Sequence, residues 1–111
     1  MTAKNNTIYI KHILDAIKKV EEYTNKFDEN KFSGDTLVQD GVIRQIEIIG
    51  EATKNISDEF RNKHNHIPWK DIARMRDKLI HGYFGVDINA VWDTAKKDLP
   101  NLKAEITKIV S

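Results

Sequence analysis

The chain has no cysteine, only two prolines and five glycines in 111 residues, and no excess of one charge: 18 Lys and Arg stand against 17 Asp and Glu. Without cysteine there is no disulfide framework, no thiol nucleophile and no thiolate metal site, which fits a reducing compartment. No apolar run approaches the roughly 18 residues of a membrane span, and the first residues, Met-Thr-Ala-Lys-Asn-Asn, are polar, so a cytoplasmic protein without a membrane anchor is expected. The net charge of +1 provides no global basic field, so any nucleic-acid binding must come from a local patch. Hydrophobic residues make up 40% and charged residues 32%, which excludes disorder and predicts one globular domain over residues 1–111.

The spacing of apolar residues predicts helices throughout. From Thr7 to Tyr23, Ile10, Ile13, Leu14, Ile17 and Val20 recur at three and four. Residues 24–35 read as a loop that ends in a turn, Ser33-Gly34, and a capping Asp35. The longest helix is expected from Thr36 to about Phe60, on the stripe Val42, Ile46, Ile49, Thr53 and Ile56. Gly50 within it costs about 1 kcal/mol relative to alanine unless another element packs closely there, and close packing is the reading adopted. A polar break over residues 61–66 leads to Pro68 at a first helical position, then a helix to about Ile80 that Gly82 ends. A fourth helix begins near Asp87 and is kinked or restarted at Pro100. No window alternates as a strand does. The expected fold is all-α, an up-and-down bundle of four to five helices.

Chemistry concentrates in Met75-Arg76-Asp77-Lys78-Leu79-Ile80-His81-Gly82-Tyr83. On a continuous helix Asp77 and His81, four apart, lie above one another, and Arg76 and Tyr83, seven apart, return to within about 20° of one line. His81 in a last helical turn beside Asp77 would have its pKa carried from about 6.5 toward 7, where imidazole serves as acid or base. Arg76 offers a planar fork for a phosphate. This set suits phosphodiester cleavage without a metal: the ribose 2′-hydroxyl loses a proton as it attacks phosphorus, the phosphorane charge is stabilised, and the leaving 5′-oxygen gains a proton. One His81 performs one transfer, so a homodimer presenting two copies is expected. Singly, an arginine and a histidine at this spacing are more often a surface cation and a capping residue, and Tyr83 a packing residue with a wet hydroxyl.

The same residues resemble a known family. Arg76, four residues, His81, one residue, Tyr83 is similar to the signature of HepT-like toxins within the HEPN superfamily of helical ribonucleases. Ile49-Gly50-Glu51-Ala52, Ile67-Pro68-Trp69, Val91-Trp92 and Asp98-Leu99-Pro100 resemble that family's landmarks in the same order. The resemblance implies a helical-bundle homodimer that cuts RNA without a metal and without a cofactor, encoded with a minimal nucleotidyltransferase antitoxin that adenylylates the motif tyrosine. Arg76 and His81 would be catalytic, Asp77 the polar residue after the arginine, and Tyr83 the modified residue. The alternative is a catalytically inert helical adaptor that binds the nucleotidyltransferase.

Other candidates carry less. Glu51 either faces the motif cleft, as base or partner of Arg76, or is an exposed helical glutamate. His64 and His66, with His12 elsewhere, form no recognisable ligand spacing with a carboxylate and read as loop residues. Trp69 and Trp92 read as core anchors.

Overall fold

The computed structural model describes residues 2–81 and 85–110, with side chains described from Asn6 onward except that of His81. It is all-α apart from one two-residue antiparallel ladder. In chain order the elements are α1 (Thr2–Thr24), α2 (Glu29–Ser33), α3 (Thr36–Lys54), α4 (Asp58–Lys63), α5 (Trp69–Ala73), α6 (Met75–Leu79), β1 (Ile80–His81), β2 (Gly85–Val86), α7 (Ile88–Asp93), a π-helical turn (Thr94–Asp98) and α8 (Leu99–Val110).

The frame is built by α1, α3 and the continuous helical run from Ile88 to Val110. The predicted stripes of α1 and α3 supply its centre: Ile13, Ile17, Val20, Val42, Ile46 and Ile49 are all at most 1% exposed. Burying an aliphatic side chain of this size contributes about 1.5–3 kcal/mol, so these six residues alone make the α1–α3 pairing the strongest joint in the fold. The two helices run antiparallel. Asn6, near the start of α1, exchanges two hydrogen bonds of 3.0 Å with Ser57, just past the end of α3. At the other end, the ring of Tyr23 lies where a side chain on Gly41 would stand. Lys103 of α8 reaches Glu21 at 3.0 Å and Lys96 reaches the Thr24 carbonyl at 3.2 Å, which fixes the C-terminal run against α1.

Beyond the earlier start of α1 at Thr2, helix boundaries depart from the sequence expectation in four places. Residues 24–35 contain α2, capped by Asp28, which accepts from the Lys31 N–H, and held by the buried Phe32. Gln39 donates to the Phe32 and Ser33 carbonyls and so ties α2 to α3, which Asp35 caps as expected. The helix expected to run to Phe60 ends at Lys54, and Ser57 caps a separate α4 with Asp58 and Glu59 in its first turn. The helix expected from Pro68 to Ile80 is divided at Arg74, and Pro68 lies one position outside it as the cap. Finally, helix α6 stops at Leu79, and Ile80 and His81 pair with Val86 and Gly85. No pairing was expected there, because a two-residue ladder has no room to show alternation.

Pro100 neither ends nor restarts its helix. The preceding turn widens instead, with the Leu99 N–H donating five residues back to Thr94, and the ring of Pro100 enters the first turn of α8, where no donor is needed.

Candidate active site

Gly50 is the reason the motif arginine meets α3. A Cβ at Gly50 would stand 3.2 Å from the Ala73 carbonyl oxygen, so α5 lies directly on the helix backbone, as the close-packing reading requires. Residues three and four away on the same helix share that face. Glu47 and Lys54 therefore flank the contact, and α6, which follows α5 after one residue, carries Arg76 over Glu47.

The Arg76 Nε donates to Glu47 Oε2 at 2.9 Å, while its Nη1 lies 3.6 Å from Asp77 Oδ1. Arg44 approaches the other Glu47 oxygen at 3.9 Å. The hydrogen bond that Arg76 donates to Glu47, with the negative charges of Glu47 and Asp77 beside it, raises the guanidinium pKa above its already high ordinary value. Arg76 is thus always a cation. The side chains of Arg76 and Glu47 are 46% and 34% exposed, and a pair so solvated contributes little to stability. What it supplies is orientation: with Nε engaged by Glu47, the end of the fork formed by the two terminal nitrogens is what can face a ligand.

These residues line one groove of about 440 Å³ between α1, α3 and α5–α6. Arg44, Lys54 and Arg76 supply cations to it, and Glu47, Glu51 and Asp77 supply anions. Tyr9 and His12 of α1 form its far wall. Such a groove can hold an anionic, partly aromatic ligand on oriented cations, with carboxylates nearby to fix the cations in place.

The expected site residues fare differently. Arg76, Asp77 and Glu51 share this groove, and Glu51 is an exposed helical glutamate as well as a lining residue. Glu51 is not the partner of Arg76, however; that is Glu47, one turn earlier. The helical line projected from Asp77 to His81 and from Arg76 to Tyr83 does not exist, because the helix ends at Leu79 and the His81 backbone belongs to β1. The His81 side chain and Tyr83 lie outside the described residues. His64 caps α4 and stacks on Phe60 at 4.6 Å, and His66 pairs with Glu105 at 3.4 Å, both away from His12. Among the described residues no group of three or more His, Asp or Glu is placed to hold a metal ion. Trp69 is buried, and Trp92 packs on Phe32 at 5.2 Å, so both tryptophans belong to the core.

Glu47, Arg44, Tyr9 and His12 were not foreseen as parts of this site. Glu47 was within reach of the sequence, since a helix glycine reserved for close approach marks its i−3 neighbour as facing the same element.

Comparison with known proteins shows the family. The family model described as Ribonuclease HepT-like matches residues 13–109, and the chain belongs to this HepT-like ribonuclease family, within the HEPN superfamily. It is 48% identical to a Thermococcus cleftensis protein named "Probable ribonuclease HepT", over 91% of this chain and 92% of that one. It is 55% identical to a Methanocaldococcus jannaschii protein named "Gamma-glutamylcyclotransferase and putative RNase", over 96% of this chain but 48% of that one, so it spans about half of that relative's length. No solved structure matches the chain. None of the described helices is long and apolar enough to cross a membrane.

Proposed function

We propose that the protein is a metal-independent endoribonuclease, the toxin of a toxin–antitoxin pair. The observation that carries this reading is Arg76, a permanent cation held through Nε by Glu47 on the wall of an open groove, the end of its fork meeting only the longer 3.6 Å contact of Nη1 with Asp77. A bidentate guanidinium is the group that phosphoryl chemistry needs, since it binds the scissile phosphate and stabilises the charge that grows on it as the 2′-oxygen attacks. His81 moves the proton, from the 2′-hydroxyl or to the leaving 5′-oxygen. Asp77 stands beside one terminal nitrogen of Arg76 and restrains it, and Glu51 contributes to the polar lining. Support also comes from family membership and from the ribonuclease names of the relatives.

A homodimer that faces two copies of His81 across a shared cleft supplies both acid and base. The antitoxin is a nucleotidyltransferase that joins adenylate to the Tyr83 oxygen, releasing pyrophosphate from ATP. In this reading the new phosphodiester brings a negative charge that competes with the scissile phosphate, and the adenosine excludes RNA from the cleft, so cleavage is blocked in two ways. The setting is the cytoplasm.

The purified protein is expected to cut RNA in the presence of a chelator and to leave 2′,3′-cyclic phosphate ends, activity that His81→Ala abolishes while the helical circular dichroism is retained. Tyr83→Phe is expected to cut RNA yet to resist neutralisation by the transferase and ATP, and mass spectrometry of the co-expressed pair to find adenylate on Tyr83 and not on Tyr9 or Tyr23. The inert adaptor has one observation in its favour, the balance of three cations and three anions in the groove lining, which gives RNA no net attraction. It requires that Arg76→Ala and His81→Ala leave the protein's behaviour unchanged.

A further inference from the structure

The far wall of the groove holds an aromatic pair that the reaction does not use. Tyr9 and His12 lie three residues apart on α1 and so share one face. Their ring centroids are 6.2 Å apart and their planes stand at 83°. Tyr9 is half-buried and packs on the core, whereas His12 is exposed. The tyrosine therefore anchors the pair and the imidazole is its accessible member.

In an edge-to-face pair one ring presents an edge to the other's face, so at least one face of His12 stays unused whichever way the pair is disposed. The contact with Tyr9 is also the one interaction of His12 among the described residues; no carboxylate or carbonyl there fixes its tautomer. A proton-transferring histidine is normally oriented by such a group. A stacking histidine needs only a ring held in place, and that is what Tyr9 provides. Across the same groove, Arg44, Lys54 and Arg76 offer cations to a phosphate backbone, interleaved with Glu47, Glu51 and Asp77, so the attraction is local to each cation and not a net positive field. Cations tracking phosphates beside an exposed ring is the arrangement by which proteins bind unpaired nucleotides without reading their sequence.

We propose that His12, backed by Tyr9, is a base-stacking subsite that takes the unpaired nucleobase neighbouring the phosphate held by Arg76. The inference rests on RNA being the ligand of this groove. It makes cleavage selective for single-stranded segments, because a base within a duplex is unavailable to the ring, and indifferent to base identity at that position.

The test uses a short 2′-O-methyl oligonucleotide, which cannot be cleaved, and a backbone of the same length made of abasic units, both followed by fluorescence anisotropy. His12→Ala is expected to weaken binding of the intact strand about tenfold and leave the abasic strand unaffected, with His12→Phe restoring most of the lost affinity. In turnover of a cleavable strand, His12→Ala is expected to raise KM about tenfold with kcat within twofold of the parent. Equal weakening toward both strands, no weakening at all, or a loss of kcat that the phenylalanine does not restore would each overturn the subsite. If Arg76→Ala weakens binding while His12→Ala does not, the subsite alone is wrong. If the parent binds neither strand better than Arg76→Ala does, RNA as ligand fails and the subsite with it.

Discussion

Helix α6 separates two recesses of similar size and different lining. On one side lies the groove of about 440 Å³ that receives Arg76 and Asp77; on the other, a cavity of about 370 Å³ between α5–α6 and the C-terminal helices that receives Met75 and Leu79. Volume does not tell them apart. The second has an apolar floor of Ile67, Ile72 and Leu102, with Asp71, Lys78, Asp98 and Glu105 also in its lining. The first is lined with charges, two of which are set by a backbone contact: α3 and α5 touch at Gly50, and that touch sets the distance between Glu47 and Arg76. A five-residue helix thus serves packing with Met75 and Leu79 and chemistry with Arg76 and Asp77.

The contrast can be broken by substitutions on the two faces of α6. Arg76→Ala is expected to lower kcat/KM for RNA by about 100- to 1,000-fold, the cost of losing one preorganised group that stabilises developing charge, with the melting temperature unchanged because the side chain is solvated. Leu79→Ala is the counterpart on the apolar face: Leu79 is 5% exposed, so its truncation should cost about 2–5 kcal/mol in chemical denaturation while the folded fraction cleaves at the parental rate. Gly50→Val tests the joint between the faces. Two methyl groups pressed against the Ala73 carbonyl must push α5 away, with an expected cost of about 1–3 kcal/mol and a fall in activity that exceeds the loss of folded protein. The smallest effect is expected from Glu47→Gln, which keeps shape and a hydrogen-bond acceptor but removes the charge: about a tenfold loss in kcat/KM, with thermal stability unaltered. An unaffected Glu47→Gln enzyme would leave Asp77 as the residue that orients Arg76.

Much of this frame is written in the chain's periodicity. The stripes of α1 and α3, the Asp35 cap and the meaning of Gly50 are visible because each depends on residues close together in sequence. The breaks at Asn55 and Arg74 are not, for a physical reason: Ile56 and Phe60 continue the apolar spacing through the first, and neither glycine nor proline marks the second. What separates α5 from α6 is packing on α3, a non-local cause. The motif suffered the same way. Its residue types pointed to phosphate chemistry, but their alignment was projected on a helix that stops at Leu79, since the ladder that ends it requires a partner strand beginning at Gly85. Glu47 depended on tertiary contact altogether, and its identity follows only after Gly50 is understood as a point of approach.

The widened turn at residues 94–98 has a meaning of its own. The buried apolar positions Val91, Ala95, Leu99, Leu102 and Ile106 are spaced four, four, three and four. Two successive steps of four carry an α-helix about 80° past alignment, which sets Leu99 toward the edge of an apolar stripe about 100° wide. The π turn absorbs that excess, so the segment behaves as an α-helix holding one residue more than its geometry accommodates, with the surplus stored in a single loop of backbone. Removing Lys97 would leave spacings of four, three, three and four, which an unbroken α-helix accepts, and α8 would keep its inner face. Adding a residue there has no such outlet and would turn the whole of α8 out of phase with α1. The C-terminal helical run is therefore asymmetric in its tolerance, forgiving of shortening at one point and intolerant of lengthening.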